Sequence, residues 1–209
     1  MRETGFPSRS GTLADAAVAA IARSVVLPVV REDRAGEALA RVDWLAEQGL
    51  EAIELTATIP GWREVLATAR RQLPATVLGV GTLRSTADAS DAADLGADFL
   101  VTPHPVAGAG EVAAARGALL VGGGFAPGEV LAAADDGVAK LFPAHAVGPA
   151  YLRSVLALVP DARVIPTGGI ALDDVPAWLD AGALAVGVGS ELRPGPSVEA
   201  KLRALRRAP

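Results

Sequence analysis

Apolar positions along this chain fall into two alternating patterns. Short runs rich in valine, leucine, isoleucine and alanine occupy 24–30, 52–55, 76–78, 99–102, 119–121, 138–141, 164–165 and 184–186, without the regular polar interruptions of a half-exposed strand. Such runs predict parallel strands covered on both faces. Between them, apolar residues return every three or four positions over about 62–72, 86–95, 106–115, 128–135, 149–158, 173–181 and 197–206, the spacing of helices with one buried face. Two more helices are predicted, at about 12–23 with Thr12 as N-cap and at about 35–48. Gly49, Gly96, Gly117, Gly137 and Gly182 each fall between a helix and the next strand, where a left-handed cap ends the helix.

Strand-helix units repeating about every 20 to 25 residues are the mark of a parallel α/β fold. About eight such units, with none to spare, favour a closed (β/α)8 TIM barrel over an open doubly wound sheet. No change of composition marks a linker, so residues 1–209 read as one barrel domain with an extra N-terminal helix. Residues 1–11, with Gly5, Pro7 and two serines, read as a loose tail.

Composition narrows the function. Apolar content of 51% against 21% charged residues describes a well-packed globular protein, and a net charge of -5 supplies no basic surface for nucleic acid or an anionic membrane. Cysteine is absent, which removes disulfides, thiolate catalysis and cysteine metal sites. Two histidines, His104 and His145, are too few for a histidine-rich zinc site. No apolar run approaches the roughly 20 residues of a bilayer span, and the N-terminus lacks a charged-then-apolar signal, so a soluble cytoplasmic protein is expected.

The strand at 138–141 carries the most informative residue. The chain has only two lysines, Lys140 and Lys201, beside seventeen arginines, and one of the two sits within an apolar run. Arginine cannot give up its proton, whereas a lysine in an apolar setting can and then adds to a carbonyl as an imine-forming nucleophile. The alternative is a strand-end lysine whose stem carries its ammonium to water. Glu54 lies in an apolar strand too, and is either a proton-transfer partner for Lys140 or a strand-end carboxylate paired with an arginine. In a barrel, active sites form at the C-terminal ends of the strands. Arg31, Thr56, Thr58, Thr82, Thr102, His104, Thr167 and Ser190 fall at those ends as well.

The segments after the last two strands, Pro166-Thr167-Gly168-Gly169-Ile170 and Gly187-Val188-Gly189-Ser190-Glu191-Leu192, stand where barrels frequently hold phosphate on backbone N–H groups. Alternatively these glycines serve tight turns. Gly79-Val80-Gly81-Thr82 and Gly122-Gly123-Gly124 lack the rest of a dinucleotide fingerprint, so no cofactor is expected. Trp44, Trp62 and Trp178 read as packing residues, and His104 and His145 as either exposed or substrate-contacting.

Taken in order, Leu27-Pro28-Val29-Val30-Arg31, Ile53-Glu54-Leu55-Thr56, Gly79-Val80-Gly81-Thr82, Val101-Thr102-Pro103, Lys140-Leu141-Phe142-Pro143-Ala144, Pro166-Thr167-Gly168-Gly169-Ile170 and Gly187-Val188-Gly189-Ser190 resemble one family. It is the class I aldolases of 2-keto-3-deoxy-6-phosphogluconate, with relatives acting on the galactonate epimer and on 4-hydroxy-2-oxoglutarate. The resemblance runs from about Val25 to the C-terminus. It implies Lys140 as Schiff-base lysine and Glu54 as general acid/base, with Thr82 and Phe142 near the pyruvyl group and Gly168, Gly169, Gly189 and Ser190 at the phosphate. It also implies a homotrimer without metal, and a phosphorylated 2-keto-3-deoxy sugar acid and pyruvate as substrate and product.

Features of two branches are mixed. Thr58 stands four residues after Glu54, where the gluconate branch usually has an arginine, and Arg31 is placed to supply the anion contact instead. Pro60-Gly61-Trp62 and Val101-Thr102-Pro103 resemble the galactonate branch, while Thr167 before the glycine pair resembles the gluconate branch. Two other readings stand beside the aldolase: a phosphosugar isomerase or synthase barrel, which has no use for an imine-forming lysine, and a barrel that binds pyruvate or phosphate without turnover.

Overall fold

A strand points alternate side chains to opposite faces, so a strand lying between a barrel interior and an outer helix needs both sets apolar. The computed structural model, which describes residues 12–207, has this construction. Helix α1 (Leu13–Ser24) comes first. It is followed by β1 (Val26–Val30), α2 (Ala35–Glu47), β2 (Ala52–Thr56), α3 (Trp62–Gln72), β3 (Val77–Gly81), α4 (Thr86–Asp94), β4 (Phe99–Val101) and α5 (Ala109–Arg116). The second half runs β5 (Leu119–Gly124), α6 (Pro127–Asp135), β6 (Val138–Leu141), α7 (Pro149–Leu156), β7 (Val164–Pro166), α8 (Val175–Asp180), β8 (Val186–Val188) and α9 (Pro196–Arg207). The expected loose tail at 1–11 lies outside the described residues.

All eight strands are parallel and each pairs with its neighbour in sequence, β8 returning to β1 through Val26–Val186, Leu27–Gly187 and Pro28–Val188. The remaining seam closes where the Leu184 N–H bonds the Val164 carbonyl at 2.9 Å and Thr167 bridges Gly187. This is the (β/α)8 barrel the spacing predicted. One buried cluster fills the layer between strands and helices. A second fills the barrel: Leu27, Ala52, Phe99, Val121, Val138 and Ile165 point inward, and Ala17, Ala20 and Ile21 of α1 pack beneath them. The extra helix thus stops the N-terminal end of the barrel. Thr12 caps it reciprocally with Asp15, the Asp15 N–H bonding Thr12 Oγ1 at 3.1 Å.

Strands β3 and β5 run on to Gly81 and Gly124, past their expected ends, and α7 stops at Leu156. Three further differences from the apolar pattern have a local reason. Strand β8 begins at Val186, because Leu184 is used in closing the seam. Helix α5 begins at Ala109: Gly108 turns the chain at φ +79°, and the Ala107 carbonyl is taken by the Thr86 hydroxyl at 2.8 Å. The helix expected at 173–181 divides into a 3-10 turn (Leu172–Asp174) and α8, with Pro176, which has no N–H to donate, in the first turn of α8.

Gly79 pairs with Phe99 across β3 and β4, and a Cβ at Gly79 would lie 2.2 Å from the Phe99 ring. The glycine is what lets a phenylalanine fit inside the barrel. Gly79→Ala is therefore expected to destabilise the fold by about 1–3 kcal/mol through overpacking, and Gly79→Ala/Phe99→Leu to recover most of that loss. Thermal unfolding checks this; an unchanged Tm in the single variant would refute the packing argument.

Candidate active site

Glu54 on β2 and Lys140 on β6 both point into the barrel, Glu54 Oε1 lying 3.5 Å from Lys140 Nζ. They are 1% and 5% exposed. Glu54 Oε1 makes no hydrogen bond to the described residues, so the ammonium is its nearest compensation. The carboxylate has room because β3 places Gly81 beside it, where a Cβ would fall 1.8 Å from Oε1. Lys140 Nζ also stands 5.7 Å from the centre of the Phe142 ring.

Above this pair opens a cavity of about 530 Å³. Arg31, Thr82, Lys140, Phe142 and Thr167 line it, together with Gly168, Gly169, Gly189 and Ser190. Nine residues singled out from the sequence therefore share one space. Glu54 lies just under its floor, and Thr58 one layer behind its wall.

Arg31 is held from two sides. Its Nη1 donates to Thr58 Oγ1 at 2.9 Å and its Nη2 to Thr82 Oγ1 at 3.1 Å. Thr56 gives its proton to the Val30 carbonyl at 3.1 Å, so across the 2.9 Å contact between the hydroxyls it is Thr58 that donates to Thr56. The chain from guanidinium to strand backbone is directional and complete. It leaves three of the five Arg31 N–H groups without a partner among the described residues, free for an anion. Thr82 takes φ +60°, a conformation that costs a β-branched residue of order 1–3 kcal/mol and persists where surrounding structure imposes it. Its neighbours are fixed by the Ala57 N–H bonding the Gly81 carbonyl at 2.8 Å and the Leu83 N–H bonding the Val101 carbonyl at 3.2 Å.

At the other end of the cavity, Gly168 and Gly169 take φ +99° and +70°. Side chains there would also collide, at 2.9 Å with Phe142 and 2.8 Å with His145. The Gly168 carbonyl accepts from the His145 N–H at 3.1 Å and from its Nδ1 at 3.1 Å, which requires the Nδ1–H form of the ring. The N–H groups of Gly169 and Ser190 have no backbone partner among the described residues. Such clustered donors suit an anion.

Other polar residues at the strand ends have structural work. The Thr102 hydroxyl accepts from the Gly123 N–H at 3.0 Å, and His104 turns Nδ1 to the Pro105 carbonyl, away from the cavity lining. Trp62 and Trp178 are buried in the outer core, and Trp44 packs against it. The sequence reading missed Ala171 and gave Val29 and Glu191, which also line the cavity, no role of their own. Glu191 directly follows the Gly187-Val188-Gly189-Ser190 motif, and its Oε2 accepts from the Leu172 N–H at 2.8 Å. A larger cleft of about 1200 Å³ lies on the barrel flank between α1, α5 and α6, but it is lined mainly by alanine and glycine and gathers no amine-carboxylate pair. Among the described residues, no three His, Cys, Asp or Glu side chains converge to hold a metal.

An amine touching a carboxylate under a cavity that can hold anions at both ends suits making and breaking bonds beside a carbonyl, the chemistry of aldolases. Residues 18–203 match the family model "Aldolase: KDPG and KHG aldolase", and the chain belongs to that family of carbon-carbon lyases. It is 29% identical over 179 residues to the 2-dehydro-3-deoxy-6-phosphogalactonate aldolase of Escherichia coli K12, covering 83% of this chain and 87% of that one. To the 2-dehydro-3-deoxy-phosphogluconate aldolase of Pseudomonas aeruginosa it is 31% identical over 157 residues, 74% of this chain and 71% of that one. The crystal structure of the 2-keto-3-deoxy-6-phosphogluconate aldolase of Zymomonas mobilis ZM4 with 3-phosphoglycerate superposes with a TM-score of 0.76 at 29% identity, covering 91% and 93% of the two chains.

If the contact between Glu54 and Lys140 is the working one, Gly81→Ala must push the carboxylate away from the amine. A fall in aldol-cleavage kcat of roughly 10²–10⁴-fold, the range for losing a general acid/base, is expected without loss of fold. Steady-state kinetics with circular dichroism checks it, and a kcat within two-fold of wild type would show that the observed pairing is dispensable.

Proposed function

We propose that the chain is a class I aldolase cleaving 2-dehydro-3-deoxy-6-phosphogluconate reversibly to pyruvate and glyceraldehyde 3-phosphate. The observation that carries this reading is the Glu54–Lys140 contact, with Arg31 on one side of the cavity and the unpaired glycine-loop N–H groups on the other. Lys140 passes a proton to Glu54, and the freed Nζ amine adds to the C2 carbonyl. The carbinolamine hydroxyl leaves as water with the proton returned by Glu54, giving a protonated imine and restoring the Glu54 carboxylate. Glu54, through a water, takes the C4 hydroxyl proton. The C3–C4 bonding pair moves into the iminium, releasing the aldehyde and leaving an enamine on Lys140. Glu54 returns the proton to C3, and hydrolysis of the imine frees pyruvate and the amine. Arg31 neutralises the C1 carboxylate, and Phe142 and Thr82 border the pyruvyl group. Gly168, Gly169, Gly189 and Ser190 receive the phosphate.

One observation favours the galactonate epimer as a second reading. Thr58 and Thr82 both hold Arg31, so the carboxylate contact comes from the end of β1, and Thr58, not an arginine, stands four residues after Glu54. Thr167, on the cavity wall, supports the gluconate epimer. The ratio of kcat/KM for the two epimers decides between them. The family resemblance supports a homotrimer, which sedimentation equilibrium tests. A cytoplasmic setting fits the substrates, and no helix among the described residues is long and apolar enough to cross a membrane.

Borohydride reduction in the presence of pyruvate is expected to add one pyruvyl group to Lys140, located by peptide mapping, and Lys140→Arg to fold yet trap nothing. Adduct formation in that variant would move the nucleophile elsewhere. Glu54→Gln is expected still to trap pyruvate, slowly, while losing roughly 10²–10⁴-fold in exchange of the pyruvate methyl protons with D₂O. Exchange at the wild-type rate would remove Glu54 from proton transfer. For the phosphate end, Ser190 is the position to change, since any side chain at Gly169 strikes His145 whatever its charge. Ser190→Asp is expected to raise KM for the phosphorylated substrate far more than for 4-hydroxy-2-oxoglutarate; equal changes would reduce the loop to a structural turn.

A further inference from the structure

One buried ion pair has no part in the chemistry above. Glu32, the residue after Arg31, and Arg41, on the buried face of α2, are each 8% exposed and form a salt bridge. Arg41 also donates from Nη1 to the Leu192 carbonyl at 3.0 Å, and Arg193 approaches the same Glu32 Oε1 to 3.6 Å from the solvent side. Leu192 is two residues past Ser190. Its side chain is buried, its N–H bonds the Gly189 carbonyl at 3.1 Å, and the Arg193 N–H bonds the Glu191 carbonyl at 2.8 Å. The segment 189–193 is tightly folded on itself, and Arg41 fastens its far end to the loop after β1.

Stability is a poor reason for such a pair. Withdrawing two charges from water costs about as much as their attraction returns, and well-packed apolar residues of similar size often do as well or better. Geometry is the better reason. Two guanidiniums around one carboxylate also leave an excess of positive charge behind the loop, the sign that favours an anion in front of it.

We infer that Arg41, oriented by Glu32, is a positioning residue that holds the loop after β8 in its anion-receiving shape before substrate arrives. The inference rests on the phosphate reading given under Proposed function. Because Glu32 adjoins Arg31, the same pair sets the spacing between the residue that meets the carboxylate and the loop that meets the phosphate. Arg41 itself touches neither.

The double variant Glu32→Gln/Arg41→Met removes both charges together and strands neither, and Arg41→Lys keeps one donor while losing the fork. In the double variant, KM for the phosphorylated substrate is expected to rise about ten-fold, the scale of one charge-assisted hydrogen bond. KM for 4-hydroxy-2-oxoglutarate and the rate of pyruvate methyl exchange, which do not use the phosphate loop, are expected to stay within about two-fold. Arg41→Lys should fall between wild type and the double variant, and it keeps the test open should the double variant fail to fold. An unchanged KM for the phosphorylated substrate overturns the inference, as do equal losses on both substrates and in exchange, which mark a general loosening. A wild-type enzyme indifferent to the phosphate group overturns the phosphate reading and this inference with it.

Discussion

The contact between Glu54 and Lys140 is the constraint around which the upper barrel is built. Unit charges about 4 Å apart attract by about 4 kcal/mol at the effective dielectric of a partly polar interior, while each costs several kcal/mol to bring out of water. The space around them exists because β3, β5 and β8 carry glycine at this level. A Cβ on Gly81 would strike Glu54, and one on Gly187 would fall 2.2 Å from Thr167 Oγ1. Lower in the barrel the bulk returns with Phe99, Val121 and Ile165. The interior is packed to the level of Glu54 and open above it.

Three kinds of support converge on that opening. The Thr56–Thr58 hydroxyl relay orients Arg31, the positive φ of Thr82 turns its hydroxyl to the same guanidinium, and His145 grips the Gly168 carbonyl. Each is short-range, and each uses a side chain outside or at the rim of the cavity to aim a group within it. A site assembled in this way needs little ordering when an anion binds, which is where affinity is otherwise lost.

Much of this was legible in the sequence, for identifiable reasons. The strands were visible because both faces of each are buried, so their runs carry few polar interruptions; the two that stand out, Lys140 and Glu54, meet inside the barrel. The glycines at 49, 96, 117 and 182 take the positive φ of a left-handed cap, as their places between helix and strand required, whereas Gly137, at +152°, is closer to extended backbone. The boundaries of α5 and α8 depended on a hydroxyl twenty-one residues away and on a proline's missing donor, which apolar spacing does not register. The lining residues at strand ends followed from barrel geometry, but the Arg31 to Thr58 bond joins β1 to the loop after β2. The pairing of Glu32 with Arg41 is as opaque in one dimension, since nine residues along a loop and helix say nothing of a carbonyl at Leu192.

The helix beneath the barrel has a consequence for traffic. With Ala17, Ala20 and Ile21 stopping the N-terminal end among the described residues, the cavity opens at the C-terminal rim. Whatever enters must come and go past Arg31 and the glycine loops. Under imine chemistry, the fragment held by a covalent bond at the bottom of this well cannot leave while the other fragment stands in the doorway. The aldehyde departs first and the keto acid last, and in the synthetic direction the keto acid must be seated before the aldehyde arrives. Under that chemistry, sequential order follows from a covalent bond at the bottom of a stoppered cylinder.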